Sequence, residues 1–278
     1  WGVGPCVSSR VLRGAGWAGQ VPGALRAGAY FGNLYFGSNM PGPCFRDNLK
    51  LRRALNLVID RELIVERVMN GLALPAYGWV PPGVANYTPQ TPEWATWPRA
   101  QRLAEARRLY AEAGYSSEHP LEVEITYNTQ RDNKRIATVV AALWKQSLGV
   151  RARLINLEFK VLKTRLKQKQ TEMFRWGWIA DYNDASSFTD LLQSSHGQNE
   201  TAFSDTRYDA LVTQSHTEAD PARRRALLEE AERRLLAQSP LIPIYFYTST
   251  HLVKPHVQGW TDNALDYHYS TDLAVLPH

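Results

Sequence analysis

A strand–helix–strand pattern between residues 121 and 155 restricts the fold of this chain more than any other feature. Leu121–Tyr127 alternates Leu, Val, Ile and Tyr with Glu, Glu and Thr, the period of a half-buried strand. Asp132–Leu148 then carries Ile136, Val139, Val140, Leu143 and Trp144 on one stripe, and Gly149 stands where the helix must stop. Val150–Ile155 alternates again. A chain that changes period in this order predicts an α/β fold.

The same idiom extends in both directions. Asp47 or Asn48 can cap a helix through Leu51, Leu55 and Val58, and Asp60 can cap a second, Arg61–Met69, ended by Asn70-Gly71. A Pro-rich aromatic loop, 75–97, leads into a helix over 98–113 that buries Leu103, Ala106, Tyr110 and Ala113. Later come helices over 159–168, 185–192, 205–217 and 221–237, with a strand over 172–179. Two strands, 241–247 and 250–253, precede an irregular tail from Pro255. Residues 1–28 show neither period and read as an unpatterned, Gly-rich lead-in.

Composition excludes little and favours little. The net charge of +5 is spread along helices in which Arg alternates with Glu, so it marks solvated faces rather than a nucleic-acid surface. Cys6 and Cys44 can build neither a disulfide framework nor a thiolate metal site, and their redox state stays open. No run of about 18 apolar residues is present to span a membrane. The first residues lack the basic start and apolar stretch of a signal peptide, so the expectation for an exported protein is that its beginning lies elsewhere.

Local signatures of catalysis are missing: no phosphate-cradling GxxxxGK[ST], no GxGxxG, no GxSxG and no HExxH. The seven histidines never fall four apart, so no helical metal pair is expected, and no cofactor is implied. Asp184 reads as the N-cap of the helix from Ala185, although Asp181 and Asp184 together could form an acid/base pair. Asp181 stands just past an aromatic strand, between Trp176, Trp178 and Tyr182. Both a ligand ammonium and a turn cap before Asn183 satisfy a carboxylate there.

Residues 51–62 (LRRALNLVIDRE), 75–78 (PAYG), 104–115 (AEARRLYAEAGY), 143–150 (LWKQSLGV) and 177–183 (GWIADYN) resemble the C-terminal half of periplasmic oligopeptide-binding proteins. These are the family 5 solute-binding proteins of ABC importers, and the likeness runs in order from about Tyr30 to His278. It implies one lobe of a two-lobed, type II-like periplasmic binding protein, a mixed sheet flanked by helices. Residues 29–245 would form the peptide-binding lobe and 246–278 a segment returning to the other, absent lobe.

By the same resemblance the ligand is an extended oligopeptide, the partners are the importer's membrane permease subunits, the protein is a monomer of the periplasm, and it is not an enzyme. Asp181 takes the peptide α-ammonium; Arg175 meets its C-terminal carboxylate, and Arg67 is a cation with a similar task. Trp178 and Phe159 are walls of side-chain pockets, and Tyr269 touches the ligand from the C-terminal segment. Asn133 stands where some relatives have a carboxylate-binding His, and Leu166 or Arg165 where Arg is expected. A dipeptide, a murein peptide or a metal chelate fits the same scaffold. Members of the family run about twice as far, so the chain reads as truncated, with weak binding, an exposed apolar face and the alternative of a gene remnant.

Overall fold

The computed structural model describes residues 25–261 and 263–277; Cys6 and the rest of the lead-in before residue 25 lie outside the described residues. Six strands form one mixed sheet in the order β2-β6-β1-β5-β3-β4. They are β1 (Leu25–Ser38), β2 (Ala73–Pro75), β3 (Glu122–Asn128), β4 (Arg151–Leu157), β5 (Met173–Ile179) and β6 (Leu241–Leu252). β3 runs parallel to β4 and β5, whereas β1 lies antiparallel between β5 and β6.

Helices cover both faces, as the alternating pattern requires. On one face α1 (Leu49–Val58), α2 (Arg61–Arg67), α3 (Arg99–Glu112) and α4 (Arg131–Leu148) bury Leu51, Ile64, Ala106 and Ile136 in a core with Leu34 and Met173. On the other, α5 (Phe159–Lys167), α6 (Ser186–Thr189), α7 (Thr206–Thr217) and α8 (Pro221–Gln238) bury Leu162, Phe188, Leu211 and Leu235 with Tyr35 and Phe174. Strand residues alternate between the two cores because successive side chains leave opposite faces.

Local chemistry sets the helix ends. Asn48 and Asp60 accept from Leu51 N and Leu63 N, and Asp205 and Asp220 from Tyr208 N and Arg223 N, each satisfying a donor that the first turn leaves free. Gly149 closes α4 at φ 76°, a left-handed turn that costs a Cβ-bearing residue about 1 kcal/mol. The buried stripe of α3 differs from expectation: Arg102 and Leu109 are enclosed, and Leu103 and Ala113 only half so. Arg102 is drawn inward because its guanidinium reaches the Tyr77 hydroxyl at 3.1 Å.

Three other expectations change. The two strands over 241–247 and 250–253 are one, β6, paired along β1 from Leu241 to Leu252. The divisions drawn at 28/29 and 245/246 therefore fall inside β1 and β6. The tail is not wholly irregular either: β7 (Val257–Gln258) and β8 (Ala274–Val275) form a short antiparallel ribbon, with one 3-10 turn at Ser270–Asp272.

Two buried ionisable groups tie loops to this frame. Arg61 is fully enclosed, donates to Ala76 O at 2.7 Å, Pro243 O at 2.9 Å and Asn56 Oδ1 at 2.6 Å, and lies over the Tyr77 ring at 4.7 Å. Burial lowers its pKa to about 10, which still leaves it a cation. Glu232 on α8 is also fully enclosed; Oε1 accepts from Trp79 N at 2.5 Å and Val80 N at 2.9 Å, and Oε2 from the Tyr87 hydroxyl. These contacts hold the aromatic loop against α8, since an unpaired buried amide costs roughly 1–3 kcal/mol.

Burial raises the Glu232 carboxyl from the ordinary 4.5 to about 7, against the opposing pull of Tyr87 and the loop amides. The native state then holds a proton that the unfolded chain has released between those two values. Its stabilising contribution is complete below pH 4.5 and declines as pH rises through 7. We expect urea unfolding to show this loss, up to about 3 kcal/mol from this group, and Glu232→Gln to flatten it. An unchanged slope in the Gln variant assigns the titration to another group.

Candidate functional site

Parallel strands joined through helices leave their carboxyl ends on one edge, where helix N-termini and connecting loops gather and where ligands settle in open α/β sheets. Here that edge is formed by Asn128, Leu157 and Ile179, the last residues of β3, β4 and β5. Thr129 braces it: its amide donates to Leu157 O at 2.8 Å and its hydroxyl to Asn156 Oδ1 at 3.0 Å. Glu158 then caps α5, which places Phe159 at the start of the helix and on the rim.

On the α5 face the rim is aromatic. Phe159 stacks on Trp176 with ring centroids 5.5 Å apart and planes 4° apart, and it remains 49% exposed. Trp178 donates Nε1–H to Ser187 O at 2.7 Å, and Ser187 Oγ in turn accepts from Asp181 N at 3.1 Å. This exchange fixes the turn after β5. The Asp181 side chain is exposed, and among the described residues its carboxylate has no hydrogen bond or ion pair. Ile179 and Tyr182, on either side, are about half exposed at 50% and 48%.

Asp184 is a structural carboxylate instead. Arg224 grips it with Nη1 at 2.7 Å and Nη2 at 2.8 Å. It also accepts from Ser186 N at 2.9 Å, so it supports the start of α6, but the helix begins at Ser186 and the N-cap position belongs to Ala185. Burial works against its ionisation, yet the Arg224 and Ser186 bonds outweigh it and hold the carboxyl at about 2.

Arg175 leaves β5 on the opposite face from Trp176 and Trp178, because it sits one residue out of their register. Its Nη1 reaches Asn128 Oδ1 at 3.4 Å and its Nη2 the Tyr247 hydroxyl at 3.3 Å, while its buried Nε has no partner among the described residues. Tyr247 packs against Gly32 and Gly177; a Cβ on either glycine would come within 2.8 Å of its ring or hydroxyl. Asn133, 2% exposed, spends its amide on Asn128 Oδ1 at 2.8 Å and Gln130 Oε1 at 3.2 Å. Asn128 also receives Arg175 and so joins the two side chains.

The remaining candidates are scattered. Arg67, its side chain 75% exposed, ends α2, where its carbonyl accepts from Arg135 Nη2 at 3.2 Å against the second turn of α4. Leu166 is sealed in the core, which leaves Arg165 as the one of that pair that reaches solvent. Tyr269, 66% exposed, lies before the 3-10 turn of the tail, and no contact among the described residues joins it to the Asp181 turn. Tyr247 and Asn128 escaped notice in the sequence. The glycine of Trp-Gly-Trp was their signal, since a glycine inside a strand often marks close approach by another group.

Residues 18–200 match the family described as bacterial extracellular solute-binding proteins, family 5 Middle. The chain belongs to that family. It is 34% identical over 260 residues to the periplasmic oligopeptide-binding protein OppA of Escherichia coli (strain K12), covering 93% of this chain and 48% of that protein. It is 36% identical over 260 residues, with the same coverage, to the probable deoxycholate-binding periplasmic protein YgiS of the same organism. Among solved structures, Haemophilus influenzae OppA in complex with RPPGFSPFR superposes with a TM-score of 0.83 at 29% identity, over 95% of this chain and 52% of that one. The chain spans about half the length of the curated relatives it matches.

The α/β sheet flanked by helices is thus the architecture of periplasmic binding proteins. These relatives carry the names of binding proteins rather than of enzymes. No described helix is long and apolar enough to cross a membrane.

The Asp184–Arg224 pair carries a prediction. A folded pKa near 2 lies below the ordinary 3.8, so its contribution is present above pH 3.8 and is lost as pH falls through 2. Asp184→Asn should cost about 1 kcal/mol at pH 7, the exposure of the pair keeping it small, and should flatten the acid limb of stability followed by circular dichroism.

Proposed function

We propose that the carboxyl edge of β3, β4 and β5 is one wall of a cleft for an extended peptide, and that Asp181 receives the peptide α-ammonium. The observation that carries this is a solvent-facing carboxylate with no partner among the described residues, held by its backbone to Ser187 and flanked in the chain by exposed Ile179 and Tyr182. A folded chain that leaves one carboxylate free among apolar groups offers a cation-accepting point with hydrophobic surroundings. Arg175, with its unpaired Nε, supplies the opposite charge on the other face for a carboxylate terminus. Trp178 and Phe159 shape side-chain pockets, and Arg67 and Tyr269 extend the contact at its margins.

In this reading the chain is part of the solute-binding subunit of a peptide importer in the periplasm, working with membrane permease subunits. The six-stranded sheet with its helices supplies the binding lobe, and the segment after β6 leads toward a second lobe. A peptide against a single wall stays open to water, so the ammonium–carboxylate pair weakens toward the roughly 0–1 kcal/mol of exposed pairs. We expect millimolar affinity for this chain alone.

NMR titration with a tripeptide, free or N-acetylated, tests the anchor. Acetylation should weaken binding about twofold to fivefold, and Asp181→Asn should abolish the difference. A difference that persists in the Asn variant overturns the role of Asp181. The name of YgiS suggests a second reading, a steroid-like anion on the apolar rim. Asp181 opposes it by charge, so that reading predicts tighter deoxycholate binding in Asp181→Asn and no response to peptides.

A further inference from the structure

The end of β6 and the C-terminal segment bring together the one group of three metal-ligating side chains found among the described residues: His251, Asp266 and His268. His251 Nε2 lies 2.6 Å from Asp266 Oδ1, and His268 Nε2 lies 3.2 Å from the same oxygen. All three ligand atoms fall within 4.8 Å of one another. Donor atoms bound to one tetrahedral ion at about 2.0–2.1 Å stand roughly 3.3 Å apart, so the trio needs only small side-chain rotations to share an ion.

The surroundings hold these groups in place. Trp260 stacks on the His268 ring at 3.7 Å and 17°, and its centroid is 4.8 Å from that of His251. Asp266 is presented by a self-bonded turn: its amide donates to Asn263 O at 3.0 Å, and Asn263 exchanges two bonds with the Tyr267 backbone at 2.8 and 3.0 Å. The turn forces φ to 60° at Asp266, a conformation that non-glycine residues adopt uncommonly. It is fastened to the sheet through Phe31 N, which donates to Ala264 O at 2.9 Å. The three side chains remain 26%, 30% and 11% exposed in the order 251, 266 and 268, accessible to an ion from solvent yet backed by an indole.

We propose that His251, Asp266 and His268 bind one Zn²⁺ ion and that the ion staples the C-terminal segment to the end of β6. Two imidazoles and one carboxylate form a donor set suited to first-row divalent ions, with a fourth position left for water. A carboxylate oxygen only accepts, so both rings now turn an Nε2–H toward Asp266. On binding, each Nε2 gives its lone pair to the metal; a neutral ring moves its proton to Nδ1, and a protonated ring releases one to solvent. The proposal rests on these three side chains and does not depend on the role given to Asp181.

Titration of the whole 278-residue chain with Zn²⁺ against a chromophoric chelator should give one site per chain and a Tm that rises with Zn²⁺ concentration. Co²⁺ in its place should show the visible absorption of a four-coordinate ion. His251→Gln and His268→Gln, which keep a hydrogen-bonding group toward Asp266, should each weaken Zn²⁺ binding by about a hundredfold or more while leaving the circular dichroism of the metal-free protein unchanged. Paramagnetic broadening by Co²⁺ in the unsubstituted protein should centre on residues 251 and 266–268. Absence of a stoichiometric site, affinity unchanged in both Gln variants, or broadening centred elsewhere overturns the proposal.

Discussion

β1 is the joint on which the molecule depends. It pairs antiparallel with β5 on one side and β6 on the other, partners about 140 and 210 residues away in sequence, so its pairing closes the longest loops in the fold. Leu34 and Phe36 enter the core under α1–α4, and Phe31 and Tyr35 enter the core under α5–α8. Without this strand the parallel trio β3, β4 and β5 would share no hydrogen bonds with β6 and β2, and each hydrophobic core would be open along one side. Asn33, buried at the centre of β1, donates to Trp79 O at 2.8 Å and so joins the aromatic loop to the same strand.

Two buried ionisable groups complete what that pairing begins. Among the described residues neither Arg61 nor Glu232 has a buried ion partner of opposite sign; each is satisfied by fixed backbone dipoles, rings or hydroxyls. Such groups contribute through geometry more than through net attraction, because desolvation offsets most of the electrostatic gain. Arg61 locks Ala76, just past β2, and β6 to α1, and Glu232 locks the 79–87 loop to α8. The candidate edge therefore rests on a rigid frame, while Phe159, Asp181 and Tyr182 project from it into solvent.

Much of this frame is legible in the residues. Caps at Asn48, Asp60, Asp205 and Asp220, the stop at Gly149, and the stripes of α1 and α4 each follow from contacts within a few residues. β1 is not legible in the same way. From Phe31 to Ser38 both of its faces are covered, so FGNLYFGS shows no polar alternation, and burial on two sides erases the signal. The split of β6 fails for a related reason: Thr248, Ser249 and Thr250 look like a loop but pair directly with Ala29, Gly28 and Ala27. Arg175 could have been separated from Trp176 and Trp178 by counting, since residues one apart on a strand face opposite ways.

The sequence by itself determined the α/β class, most helix limits and the chain position of the aromatic turn that bears Asp181, all of which depend on local period and capping. Tertiary structure alone decided which groups are free. Asp184 is closed by Arg224 from 40 residues away, and Asp181 is left open among the described residues. It alone, too, converged His251, Asp266 and His268, which share no helical spacing. The physical reason is the same in each case: partnership between side chains is settled by how the sheet brings distant segments together, and no local pattern encodes that distance.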